Sequence, residues 1–204
     1  MKEIKVEQNT VEWMNLRAGK ITASKFDVLM PTPKQKIDQF SKGQLTYLRQ
    51  VSAEILTGEY EETYQNKAMQ DGHEREPFAR EALSKAVGIP IRESGFWEVN
   101  DMIGVSPDGI AGFNEFTVEL KCPTSPTHLL YLLDIKELFK QYEWQIKSQM
   151  WGSGIHEGYY GSYSPLFEDY KQLSYSSYGL TEEDIDLLNN RTGHAVDLIK
   201  EWIV

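Results

Sequence analysis

Cysteine is almost missing from this chain: Cys122 is the only one among 204 residues. A single thiol closes no internal disulfide and builds neither a zinc–thiolate site nor an iron–sulfur cluster. A metal bound here would sit on oxygen ligands, with at most a histidine beside them, and such ligands favour magnesium or manganese. Long apolar runs are missing too. None reaches the roughly 18 residues of a membrane span, and Met1-Lys2-Glu3-Ile4-Lys5 lacks the apolar stretch of a secretory signal. The expectation is a cytoplasmic protein with no membrane partner. Positive charge is also scarce. Lys and Arg number 21 against 31 Asp and Glu, a formal net charge of −10. Taken alone, that is the wrong sign for a phosphate-binding protein. Residues 1–50 run against the trend, with nine Lys/Arg and five Asp/Glu, which leaves the remainder at −14. A basic patch beside an acidic metal site fits this distribution; so does an ordinary acidic cytoplasmic protein.

What is present reads as one domain over 1–204, since 40% apolar and 25% charged residues are a globular balance. Residues 10–17 read as a short helix. Thr22 or Ser24 is placed to cap a second, ended by Pro31 and Pro33. Ser41 is placed to cap a third, with Leu45, Leu48, Val51 and Ile55 at helical spacing and Gly58 as its stop. Residues 64–87 are helical in pattern up to Gly88, with a kink or a new start at Pro77. Four short segments follow, 95–99, 102–106, 110–113 and 116–122, whose β-branched and aromatic content and turn residues predict an antiparallel meander. Residues 128–151 return to helical spacing, and 157–163 and 171–178 read as strands. Thr181 followed by Glu182, Glu183 and Asp184 opens a last helix, with acids where the dipole favours them. This order predicts an α+β fold, an α/β/α sandwich with a central mixed sheet flanked by helices.

The strongest chemical signal is Ser106-Pro107-Asp108-Gly109 followed by Glu119-Leu120-Lys121. In 116–122 apolar and polar residues alternate, so Phe116, Val118, Leu120 and Cys122 point into the core. Glu119 and Lys121 then share the other face, roughly 7 Å apart along the strand. Strand order brings the Asp108 turn near that strand. Two carboxylates and a lysine beside hard cations suit phosphodiester hydrolysis. Separately, each piece has a plainer reading: Asp-Gly is a common hairpin turn, and Glu119 with Lys121 is a weak ion pair on a solvated face.

Pro107-Asp108, ten residues, then Glu119-Leu120-Lys121 resembles the PD-(D/E)xK nuclease pattern. Further blocks narrow the resemblance: Trp13, Arg17-Ala18-Gly19-Lys20-Ile21-Thr22-Ala23-Ser24, Gly72-His73-Glu74-Arg75-Glu76, Glu119 to Pro123, and Gln145 before Gln149-Met150-Trp151. As an ordered set over 13–151 they resemble the lambda-exonuclease-like (YqaJ-like viral recombinase) family. The resemblance implies a restriction-endonuclease-like core and two Mg²⁺ (or Mn²⁺) ions per active site. Asp108 would bridge them, Glu119 and the main-chain oxygen of Leu120 would complete one site, and Lys121 would position or activate the attacking water. Glu76 would reach the cluster from its helix, and Glu98 falls where the family carries another acid, with Asp101 as a competitor. Gln145 and Tyr142 would support the site. Arg17 and Ser24, with Ser106 as a further candidate, would hold a DNA 5′-phosphate, for which an arginine fork and a hydroxyl donor are suited.

The function implied is a 5′-to-3′ exodeoxyribonuclease that resects linear double-stranded DNA ends and leaves 3′ single strands for phage-type recombination. It would work in the bacterial or phage-infected cytoplasm, as a ring-shaped homotrimer with a single-strand annealing protein as partner. Two alternatives stand beside it: a restriction-type endonuclease of the same superfamily, and a non-catalytic DNA-end-binding protein. The histidines at 73, 128, 156 and 194 show no metal-ligand spacing, and His73 reads as packing or surface. Trp13 reads as packing behind Arg17, and Tyr159, Tyr160 and Tyr163 as sheet packing rather than base stacking.

Overall fold

The computed structural model describes residues 1–34, 39–59 and 67–204. Its elements in chain order are β1 (Lys2–Ile4), α1 (Val11–Arg17), β2 (Ile21–Thr22), a 3-10 turn (Ala23–Lys25) leading into α2 (Phe26–Leu29), α3 (Lys42–Thr57) and α4 (Lys67–Val87). There follow β3 (Ile91–Arg92), β4 (Phe96–Asn100), β5 (Ile103–Val105), β6 (Gly109–Ala111) and β7 (Phe116–Lys121). The chain closes with α5 (Ser125–Leu133), α6 (Ile135–Ser153), β8 (Glu157–Tyr163), β9 (Leu173–Gly179) and α7 (Glu182–Ile203). The fold is α+β, as expected. Among the described residues no helix is long and apolar enough to cross a membrane.

Local chemistry accounts for most helix ends. Ser41 and Gln44 form a reciprocal capping box at the start of α3, and Gly58 ends it in the left-handed conformation at φ 70°. Thr181 and Asp184 make a second capping box at α7. Thr10 accepts the Trp13 N–H at α1. The expected cap at 22–24 differs: Thr22 makes no side-chain capping bond, and a 3-10 turn precedes the single turn of α2. Helix α4 runs through Pro77 as one element, with no new start there. Residues 64–66 of the expected helix lie outside the described residues. The stretch 128–151 is two helices: Asp134 ends α5 and caps α6, accepting the Lys136 N–H.

The expected meander is divided between two sheets. β4 and β5 pair antiparallel in a four-stranded sheet of order β1-β4-β5-β2, whose β2–β5 pair is parallel. β6 and β7 pair antiparallel in a five-stranded sheet of order β3-β6-β7-β8-β9, whose β7–β8 pair is parallel. Ser106-Pro107-Asp108 crosses between them, and Pro107 has no N–H with which to continue a ladder. Val105 and Ile110, on either side of the crossing, share a buried cluster with Ala23, Trp97 and Ile155. The single central sheet of the sequence reading is thus a pair of mixed sheets.

Helices cover both faces of β7. Ala79 and Leu83 of α4 pack with Val118 and Leu120 on one side. On the other, Ile146 and Met150 of α6 pack with Tyr160 and with Tyr131 of α5. Another core joins Phe26 and Leu29 to Leu48 and Val51 of α3 and to Leu188 and Ile199 of α7. The tyrosines of β8 pack as expected: Tyr160 and Tyr163 are buried, and the Tyr159 ring lies 4.8 Å from that of Phe116.

Candidate active site

The crossing between the sheets delivers Asp108 to the strand that carries Glu119 and Lys121. No ladder is available to its carbonyls, and side chains from other elements satisfy them in turn. Gln149 donates to the Ser106 oxygen at 3.3 Å, Gln8 to Pro107 at 2.8 Å, and Arg80 to Asp108 at 3.2 Å. Gly109 is already the first residue of β6, paired with Val118. Its role is close approach rather than a hairpin turn: a Cβ there would lie 2.8 Å from the Ile91 side chain and 3.0 Å from the Arg92 oxygen. The hairpin between β6 and β7 instead uses Gly112 and Asn114, at φ 63° and 67°.

Asp108 Oδ2 accepts the main-chain N–H of Leu120 at 2.7 Å. This ties the crossing to β7 between its two chemical residues. Lys121 Nζ lies 2.5 Å from Glu119 Oε1. Glu119 itself is 1% exposed, because α6 lies over this face of the strand. The solvated-face reading therefore does not hold. The two amides of α6 hold the carboxylate: Gln145 donates to Oε1 at 2.7 Å and Gln149 to Oε2 at 2.6 Å. Gln145 also accepts from Lys121 at 3.4 Å, and the lysine sits 4.5 Å from the Tyr142 ring centre.

The electrostatics follow from burial and crowding. Burial, then Glu119, then Glu76 push the Asp108 carboxyl well above its ordinary range, against Lys121 and the Leu120 N–H. Burial works against the charge on Lys121, but Glu119 and Asp108 outweigh it and hold the ammonium above its ordinary value. Burial, Glu76 and Asp108 push the neighbouring Cys122 thiol up to about 12. Glu76 is therefore close enough to act on Asp108 and Cys122, while its Oε1 meets His73 Nδ1 at 2.9 Å. That hydrogen bond, ahead of the opposing burial, raises the His73 pKa.

The remaining expected residues fall into two places. Arg17 Nη2 lies 3.4 Å from both Ser24 Oγ and Thr22 Oγ1, and its guanidinium stacks 4.1 Å from the Trp13 ring centre. The Trp13 indole N–H donates to Ser106 Oγ at 3.0 Å. Arg17, Ser24 and Ser106 are thus joined in one chain of contacts that ends at the Asp108 crossing. Trp13 lies behind Arg17 as expected, but half-buried and hydrogen-bonded. Glu98 stands apart, on β4 of the other sheet. Its carboxylate pairs with Lys20 at 3.3 Å, and Lys20 also donates to the Asp101 main-chain oxygen at 2.7 Å.

Among the described residues no three His, Cys, Asp or Glu side chains stand ready-grouped around a metal position. The reason is visible in the contacts: Glu119 is held by Lys121 and two amides, and Glu76 is turned to His73. Two residues of this neighbourhood, Gln149 and Asp27, have no role in the sequence reading, and a third, His73, reads there only as packing or surface. Gln149 stands there only within Gln149-Met150-Trp151; its spacing of one helical turn from Gln145 is the available signal. His73 stands three residues before Glu76 on one helix, also a readable spacing. Asp27 approaches from α2, and nothing in the sequence pointed to it.

The protein-family comparison matches the model of the YqaJ-like viral recombinase domain over residues 12–156. The fold is similar to an alkaline exonuclease from Laribacter hongkongensis, at 26% identity and TM-score 0.83, covering 95% of this chain and 94% of that one. The same exonuclease in complex with dAMP matches at 26% identity and TM-score 0.82, with the same coverage. A phage-related exonuclease from Haemophilus somnus 129PT shares the fold at 18% identity and TM-score 0.75, over 93% of this chain and 97% of that one. No curated protein matches the chain in sequence. With its family model matched over 12–156, this chain belongs to the YqaJ-like viral recombinase family.

Proposed function

We propose that the chain acts over 1–204 as a single-domain, metal-dependent exodeoxyribonuclease. It degrades linear double-stranded DNA from a 5′-phosphorylated end and leaves a 3′ single strand. The observation that carries this reading is the convergence of Asp108, Glu119 and Lys121, held by the bond from the Leu120 N–H to Asp108.

The donor set fits divalent cations. Glu119 and Asp108 act on the Lys121 ammonium, and burial, then Glu119, then Glu76 hold the Asp108 carboxyl above its ordinary range, an environment a divalent cation would relieve. Two Mg²⁺ (or Mn²⁺) ions would be held by Asp108, Glu119, the main-chain oxygen of Leu120 and Glu76; Glu98 would have to leave Lys20 to join them. Bound there, the ions would supply a water of lowered pKa and stabilise charge on the scissile phosphate. The chain's own residues do the rest. Lys121, held protonated by its two carboxylates, orients the water and donates to phosphate oxygen. Gln145 and Gln149 keep Glu119 in place. Arg17 and Ser24 receive the terminal phosphate, with Ser106 reached through Trp13. The dAMP complex of the Laribacter exonuclease supports a site for a nucleoside monophosphate. The proposal extends to a DNA-threading homotrimer and to a single-strand annealing protein as partner in phage-type recombination.

Digestion of linear duplexes labelled at either end, beside closed circles, tests it. With Mg²⁺ the 5′ label is released first, circles stay intact, and a chelator stops the reaction. Cut circles would favour a restriction-type endonuclease. A folded protein that binds ends yet cleaves nothing with Mg²⁺ would favour a scaffold.

A further inference from the structure

Helix α6 breaks where it passes the candidate site. Tyr142 leaves helical conformation at φ −120°, ψ 23°, so the helix restarts just before Gln145. The first N–H groups of such a restart have no acceptor within the helix. Tyr142 is no capping residue: its side chain lacks a short oxygen, and its hydroxyl accepts from Gln141 at 3.1 Å. The acceptor arrives instead from α2, 117 residues away in sequence, where Asp27 Oδ1 takes the Trp144 N–H at 3.1 Å. The Gln145 N–H also acts on this carboxylate. With Tyr142 as the cap position, Trp144 and Gln145 are the second and third residues of the restarted helix, the two whose N–H groups an N-cap side chain satisfies.

We propose that Asp27 is a positioning residue for Glu119: it caps the restarted half of α6 from outside and so sets Gln145 and Gln149 against the carboxylate. Gln145 is held at both ends, its main chain by Asp27 and its side chain by Glu119 Oε1 at 2.7 Å. Gln149 follows one turn later on the same restarted half and takes Oε2. Asp27 also feels Lys121 and Glu119 directly. Ser24, a partner of Arg17, lies three residues before Asp27, in the 3-10 turn that leads into α2. One short segment therefore carries part of the phosphate-binding group and the cap that positions the catalytic carboxylate.

The activity part of this inference rests on the nuclease reading; the capping part does not. Asp27→Asn keeps the acceptor and removes the charge. Asp27→Ala removes both, and Asp27→Leu keeps the volume without an acceptor should the alanine variant prove unstable. Amide hydrogen exchange at Trp144 and Gln145 should be unchanged in Asp27→Asn and faster in Asp27→Ala or Asp27→Leu. On linear duplex with Mg²⁺, Asp27→Asn should stay within about threefold of the parent, because Asn caps as well as Asp. The acceptorless variants should lose kcat by about tenfold to a hundredfold, with KM for DNA little changed. Unchanged exchange in the acceptorless variants would overturn the cap. An asparagine variant as impaired as the alanine one would overturn it as well, since charge rather than acceptance would then matter. If the parent protein cleaves nothing, the nuclease reading fails and the exchange measurement still decides Asp27.

Discussion

Asp108 accepts the main-chain N–H of Leu120 at 2.7 Å, so a residue outside either sheet is locked onto its strand between Glu119 and Lys121. The bond is local and geometric, whereas the charge it brings is unfavourable: burial first, then Glu119 and Glu76, raise the Asp108 pKa. The site therefore spends stability on an arrangement that a proton or a bound cation would relieve.

Asp108→Asn separates these two effects. The amide oxygen can still accept from Leu120, while the charge is gone. Metal-free Asp108→Asn should melt at a higher temperature than the parent at neutral pH. The sign follows from the raised folded-state pKa: stability is lost as pH rises from the unfolded value of about 3.9 towards the higher folded one, so the ionisable side chain costs stability at neutral pH. Cleavage of linear duplex with Mg²⁺ should fall by about a thousandfold or more, since a metal-held transition state is worth several kcal/mol and each 1.4 kcal/mol is tenfold. An active variant would remove Asp108 from the chemistry.

Gln149→Ala removes the donor to Glu119 Oε2 and to the Ser106 oxygen. Activity should drop by about tenfold to a hundredfold, the usual cost of losing a group that orients a ligand. The Mg²⁺ concentration for half-maximal rate should rise as well. A rate and metal dependence equal to the parent's would show that Gln145 holds Glu119 unaided.

Arg17→Ala should slow digestion of 5′-phosphorylated ends by about tenfold to a hundredfold, in line with hydrogen bonds to a charged group. On 5′-hydroxyl ends it should change little. Arg17→Lys should not restore the preference, because an ammonium lacks the planar fork and would stack poorly on Trp13. Equal losses on both ends would count against a phosphate pocket.

His128 offers a pH test away from the site. It is fully buried, with Nε2 2.9 Å from the Lys171 carbonyl and Nδ1 2.7 Å from Ser162 Oγ. A carbonyl only accepts, so Nε2 carries the proton and Ser162 donates to Nδ1. Burial lowers the His128 pKa despite the Lys171 carbonyl. A depressed pKa means stability present above the unfolded value of about 6.5 and lost as pH falls through the folded value. Melting temperature should therefore decline on acidification from about pH 6.5, and less steeply in His128→Gln. Parallel profiles would place the acid sensitivity elsewhere.

Much of this architecture was legible in the residues. Caps at Ser41 and Thr181 and the stop at Gly58 are local rules, and each forms as read. The alternation in 116–122 correctly faced Val118 and Leu120 away from Glu119 and Lys121. What misled was the assumption that consecutive strands pair. The strand segments of the meander are present, yet the chain changes sheets at Ser106-Pro107-Asp108, and that change is what aims Asp108. The pairing of Glu98 with Lys20 on the other sheet was equally invisible, because spacing in sequence says nothing about which sheet a strand joins.

Which face of its element each candidate residue occupies was already written in the chain, since strand alternation, helix periodicity and capping operate over a few neighbouring residues. The tertiary structure alone decided that Glu119 is buried beneath Gln145 and Gln149, that Trp13 joins Arg17 to Ser106, and that Asp27 caps a helix 117 residues away. Those contacts come from packing amphipathic faces against one another, and no local rule specifies which faces meet.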